Sequence, residues 1–221
     1  MVDTLVLGAS AERRGGSSPL IRTKVCLILK HHIIYIPGLG DHRLQGQSLA
    51  VWLWRLYGVQ SEVFRVGWRD TKSFGYRLRE LLARIDTYVA RGDSVSLVAA
   101  SAGASAAVNA FAARRGSIQA VVLIAGKIRR PETLHPSVLR NNPAFEQSME
   151  RLPAALKLLS PKDRLRILNL HPRSDESVPV SDTKIEGVRE RTLPVAGHVP
   201  GIAYAITIAA PRFIRELRRC A

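Results

Sequence analysis

Two hydrophobic periods take turns along this chain. Short apolar runs at 23–29, 33–36, 61–66, 95–99, 119–124, 166–170 and 189–195 predict strands. Between them lie stretches with apolar residues at helical spacing. The first covers about 44–57, with Leu49, Trp52, Leu53 and Leu56 as its apolar stripe and Gly58 as its stop. The second opens at Ser73, an N-cap residue, and carries Phe74, Leu78, Leu81, Leu82, Ile85 and Tyr88 up to Gly92-Asp93. A third runs from Ala102 to about Arg114. The last carries Ile202, Ile206, Ala209, Phe213, Ile214 and Leu217, with Pro211 expected to kink it. Strand and helix alternating throughout predict an α/β protein, a three-layer α/β/α sandwich around a mostly parallel sheet.

Two regions break the rhythm. Residues 1–22, with Gly15-Gly16-Ser17-Ser18-Pro19, read as a flexible leader ahead of a domain over 23–221. Residues 127–162 hold Pro131, Pro136, Pro143, Pro153 and Pro161. They read as a short helical insertion near the site, with helical pieces at 143–150 and 154–159, and the part of the chain richest in net positive charge.

Composition changes this picture little. A length of 221 residues suits one domain. No apolar run approaches the roughly 18 residues needed to cross a bilayer, and no secretory signal is apparent, so a cytoplasmic location without a transmembrane segment is expected. The two cysteines, Cys26 and Cys220, make neither a disulfide framework nor a zinc motif, and no metal or organic cofactor is implied. The net charge of +15 invites nucleic acid or an anionic surface, but it is spread without a tail or dense stripe. No nucleic-acid partner is therefore expected, and attraction to acidic substrates or membrane surfaces is the secondary reading. Trp52 and Trp54 cannot share one narrow stripe. His31 and His32 on a strand point to opposite faces and cannot share a metal.

Chemistry gathers at strand ends. In a parallel sheet these lie along one edge. The 33–36 strand ends in Pro37-Gly38-Leu39-Gly40-Asp41, a turn built for close backbone approach. The 95–99 strand ends at Ser101, between the small residues Ala99 and Gly103, where it turns abruptly into a helix. Asp175 follows the 166–170 strand and His198 follows the 189–195 strand. A nucleophile, an acid and a base thus fall on one edge in the order Ser, Asp, His, at successive sequence separations of 74 and 23. Alternatives stay open at each position. Ser105 lies one turn inside the helix, Glu176 or Asp182 would serve as the acid in place of Asp175, and His171 competes with His198. His42 follows the glycine turn and is a candidate for touching substrate.

Four stretches together resemble the α/β-hydrolases: Ile36-Pro-Gly-Leu-Gly-Asp41, Ala99-Ala-Ser-Ala-Gly103, Asp175-Glu-Ser-Val-Pro179 and Gly197-His198. The resemblance extends over about 23–219. It implies the eight-stranded hydrolase fold or a trimmed version, with a minimal cap. It also implies Ser101 as nucleophile, His198 as base, Asp175 as orienting carboxylate, and the Leu39 and Ala102 amides as oxyanion hole. Gly38, Gly40, Ala99 and Gly103 would support the turns. Ala99 and Ala100 stand where the family commonly has glycine and histidine, and Pro37 where it often has histidine. The activity implied is a serine hydrolase acting on a small-molecule carboxylic ester or thioester. Acyl transfer on the same triad, or a hydrolase-fold binding protein without catalysis, are the competing classes.

Overall fold

The computed structural model describes residues 29–44 and 46–219. The expected leader, both cysteines and, except for Leu29, the 23–29 strand lie outside them. Six strands form one parallel sheet: β1 (His31–Ile36), β2 (Gln60–Val63), β3 (Ser94–Ala100), β4 (Ile118–Ile124), β5 (Ile167–His171) and β6 (Arg189–Thr192). Their spatial order is β2-β1-β3-β4-β5-β6. β3 and β4 are apolar and buried along nearly their whole length, as central parallel strands must be when helices cover both faces. The charged Arg-Glu-Arg-Thr of β6 forms one edge, where an exposed apolar strand would invite pairing with another chain.

The chain leaves β1 toward β2 on one side and returns to β3 on the other. The crevice between the ends of β1 and β3 is therefore the switch point where open α/β sheets bind ligands. Ile36 is in register with Ala99, so Pro37–Gly40 and Ser101 emerge side by side.

Eight helices connect the strands among the described residues. They are α1 (Gln47–Leu53), α2 (Phe74–Val89), α3 (Gly103–Ala113), α4 (Pro136–Arg140), α5 (Pro143–Lys157), α6 (Pro161–Arg164), α7 (His198–Ile206) and α8 (Ala210–Arg219). None is long and apolar enough to cross a membrane. One face of the sheet packs against α2, α3 and α5, and the other against α1, α7 and α8.

α2 matches its pattern. The Ser73 side chain accepts a hydrogen bond from the Tyr76 amide, and Phe74, Leu81 and Ile85 are buried. α3 is buried at every position from Gly103 to Ala112, because its small side chains let it lie against the sheet on one side and α5 on the other. The approach is closest at Gly103, where a Cβ would stand 2.2 Å from the Ile36 carbonyl oxygen. Alanine there would force the end of β1 to move.

Three sequence expectations fail, each for a physical reason. The stripe Leu49, Trp52, Leu53 and Leu56 faces outward, and Val51 and Trp54 face the core. Leu56 falls in a 3-10 turn, Trp54–Tyr57, that follows α1. Trp54 also satisfies its indole, donating to the Ile206 carbonyl at 2.8 Å while packing edge-on to Tyr35 and Phe213. The pieces expected at 143–150 and 154–159 are one helix, α5, with Pro153 inside it. Burial of Phe145, Met149 and Leu152, at about 1.5–3 kcal/mol each, outweighs the roughly 3 kcal/mol that an internal proline costs. The final helix is broken rather than kinked: α7 ends at Ile206, and Pro211 sits in the first turn of α8, where its missing N–H is harmless.

Candidate active site

Ser101 follows β3 at the sharp turn into α3, with φ of 51°. This left-handed geometry is uncommon for a residue with a Cβ. The surroundings hold it: the Ser101 amide donates to the Ile124 carbonyl at 2.9 Å, and its own carbonyl accepts from the amides of Ala104 and Lys127. Ala99 and Ala100 are buried beneath it. A Cβ on Gly38 would stand 2.8 Å from the Ser101 Cβ and 3.3 Å from its Oγ. The glycine of the β1 turn is thus required by the proximity of the serine.

His198 begins α7, and its Nε2 lies 2.9 Å from Ser101 Oγ. Its Nδ1 lies 2.7 Å from Asp175 Oδ2. The other Asp175 oxygen accepts the Ser177 and Val178 amides at 2.9 and 2.7 Å, and the carboxylate is wholly buried. Asp175 can only accept hydrogen bonds while ionised, so it places the imidazole proton on Nδ1 and leaves Nε2 free to accept from the serine.

The alternative residues do other things. Ser105 is buried inside α3, bonded to the Ala102 carbonyl and Ser148 Oγ. Glu176 receives the His198 backbone amide on both carboxylate oxygens at 3.2 Å, placing an anion at the positive end of α7. Asp182 is buried and paired with Lys127 and Arg130. Burial alone would raise its carboxyl, but hydrogen bonds from these two cations outweigh that and hold it below the usual range. His171 Nδ1 lies against the Pro172 carbonyl. None of the four lies within hydrogen-bond distance of Ser101 Oγ.

The glycine turn is braced at both ends. Asp41 is buried and its carboxylate accepts the Gly67 amide at 2.6 Å; burial raises its pKa. The Trp68 indole donates to the Pro37 carbonyl at 3.3 Å. Between them the Leu39 amide, like the Ala102 amide, donates to no other described residue. Leu39 and Ala102 both line the cavity beside Ser101.

That cavity encloses about 660 Å³. Leu134, Val138 and Phe145 of the 127–162 stretch form one wall, and Ala50, Ile202 and Ile206 of α1 and α7 form the opposite wall. His42 and Lys127 also line it. Lys127 is buried, its ammonium held by Asp182 and by Thr133 Oγ1 at 2.7 Å. Among the described residues no cluster of three or more His, Cys, Asp or Glu is arranged to hold a metal ion.

Sequence reasoning missed the cap by Glu176, the Asp41 and Trp68 braces and the buried Lys127. Glu176 lies 22 residues before the helix it caps and left no local signal. The braces come from residues 26 and 31 positions from their partners and left none.

No protein-family model matches the chain, and no curated protein does. Solved structures do. Est1E from Butyrivibrio proteoclasticus superposes at a TM-score of 0.64 with 16% identity, over 86% of this chain and 89% of its own. A structure described with LipS and LipT, two metagenome-derived lipolytic enzymes, gives 0.62 at 13% identity over 86% and 94%. MGS-MChE2, an alpha/beta hydrolase enzyme from the sediment metagenome of the lagoon of Mar Chica, gives 0.56 at 17% over 86% and 90%. The chain has the α/β-hydrolase fold, with six strands among its described residues.

Proposed function

We propose that the protein is a serine hydrolase that cleaves a small-molecule carboxylic ester or thioester through an acyl-enzyme on Ser101. The observation that carries this reading is the unbroken chain Ser101 Oγ, His198 Nε2, His198 Nδ1, Asp175 Oδ2, opening into an apolar cavity. His198 takes the Ser101 proton as Oγ attacks the carbonyl carbon. Asp175 stabilises the imidazolium that forms. The Leu39 and Ala102 amides receive the oxyanion, each worth on the order of 3 kcal/mol. The imidazolium then protonates the leaving alcohol or thiol, and water activated by the same His198 hydrolyses the acyl-enzyme. The two apolar walls favour an apolar acyl group.

A chain-length series of nitrophenyl esters tests this reading. Hydrolysis is expected to depend on acyl length and to fall about 10³-fold or more in Ser101→Ala. A folded parent with no activity on the whole series would overturn it.

A further inference from the structure

The misread face of α1 leaves five large side chains outside the core. Leu49, Trp52, Leu53, Leu56 and Tyr57 are 62%, 53%, 40%, 77% and 41% exposed. On the inner side of the same helix, Gln47 and Ala50 line the cavity. Across the mouth, Val199 at the start of α7 is 68% exposed. Val199 thus lies at the opening above Ser101, and the five apolar side chains lie on the outer side of the helix that lines it.

Basic residues predominate around α1 and along α8. Residues 42–58 contain no Asp or Glu, and Arg43 and Arg55 are exposed there. α8 packs against the 3-10 turn, and its Arg218 donates to the Tyr57 carbonyl at 3.0 Å. Arg212 and Arg215 of α8 are exposed, and its one acid, Glu216, is paired with Arg189 and Arg191.

We propose that this face docks on an anionic lipid surface, with the cavity mouth turned toward the bilayer. Leucines and a tryptophan beside arginines are the composition of a segment lying in the headgroup region: the apolar side enters the acyl boundary and the guanidinium groups meet lipid phosphates. A symmetric contact between two copies would bring the same unpaired arginines together around one seam, which disfavours a dimer here. Delivery of a bilayer-dissolved ester to Ser101 rests on the hydrolase reading, but the docking itself does not.

The test uses the full chain carrying Ser101→Ala, so that no lipid is consumed. It is sedimented with vesicles of phosphatidylcholine alone and of an equal mixture with phosphatidylglycerol. Partition onto the mixture is expected to be at least about tenfold higher, with tryptophan emission moving to shorter wavelength. Trp54 and Trp68 are already buried, so the shift is assigned to Trp52 and is expected to vanish in Trp52→Phe. The double variant Trp52→Ser/Leu53→Ser keeps every charge and is expected to lose at least about tenfold in partition. Leu56→Ser alone serves as a second probe, expected to weaken binding in the same direction.

Equal partition of parent and variants would overturn the proposal, since charge alone would then account for the binding. So would a dimer dissolved by the double variant, or binding gained only when residues 1–28 are removed. Nitrophenyl ester hydrolysis in free solution is a separate readout, so loss of docking and loss of the hydrolase reading are distinguishable.

Discussion

The two helical layers meet one sheet in opposite ways. On the α2–α3–α5 side, small residues bring α3 into backbone contact with β1, and ten consecutive α3 residues, Gly103 to Ala112, are buried. On the α1–α7–α8 side the helices are short, and large apolar side chains remain outside. Ser101 belongs to the first layer and His198 to the second. The serine is positioned by close packing and strand hydrogen bonds. The histidine is positioned by carboxylates, Glu176 on its amide and Asp175 on its ring. A serine held by close packing beside a histidine held by carboxylates leaves the second layer free to shape the mouth.

The largest expected effect comes from cutting the polar tether. Asp175→Asn retains an oxygen for the Ser177 and Val178 amides but presents N–H to His198 Nδ1, moving the imidazole proton to the nitrogen that faces Ser101. Ester hydrolysis is expected to fall about 10³–10⁴-fold with folding intact, measured as kcat on the preferred nitrophenyl ester beside a melting curve. Asp182, in the same connection between β5 and β6, gives the contrasting result. Asp182→Ala leaves the buried Lys127 ammonium without its counterion and is expected to cost about 3–5 kcal/mol in denaturant unfolding.

The next effect reads the second layer through pH. His31 is buried against Ser96, and burial first, then His32 and Arg218, lowers its pKa to about 4. The unfolded chain takes up that proton near pH 6.5. His31 is therefore neutral in the native state, and stability present above about pH 6.5 is lost as pH falls toward 4. The loss is about 2–3 kcal/mol, and His31→Asn is expected to reduce it in melts taken across that range. The smallest effect is expected at an outward leucine, set against a buried one. Leu81→Ala in α2 is expected to cost about 2–5 kcal/mol, and Leu53→Ala in α1 less than about 0.5 kcal/mol. Equal costs would erase the difference between the layers.

The contrast also explains what the sequence made legible. Strand ends in a parallel sheet share an edge, so Ser101, Asp175 and His198 could be placed together from topology alone. α2 was readable because one face is apolar and its cap is local. α1 was not, because apolar residues lie on both of its faces; the choice was made by Trp54 finding the Ile206 carbonyl 152 residues away. The unbroken α5 depended on α2 and α3 surfaces that its own pattern does not contain. Asp182 lies in the same connection as Asp175, and their partners set them apart: Lys127 and Arg130 on one, His198 on the other.

The proposed hydrolase activity requires Ser101 to be an activated nucleophile. Reaction of the folded chain with a fluorophosphonate, followed by peptide mass analysis, tests it most directly. One covalent adduct is expected, on Ser101, slowed strongly by Asp175→Asn and absent in Ser101→Ala. A folded parent that takes up no label, or carries it equally in Ser101→Ala, would contradict it.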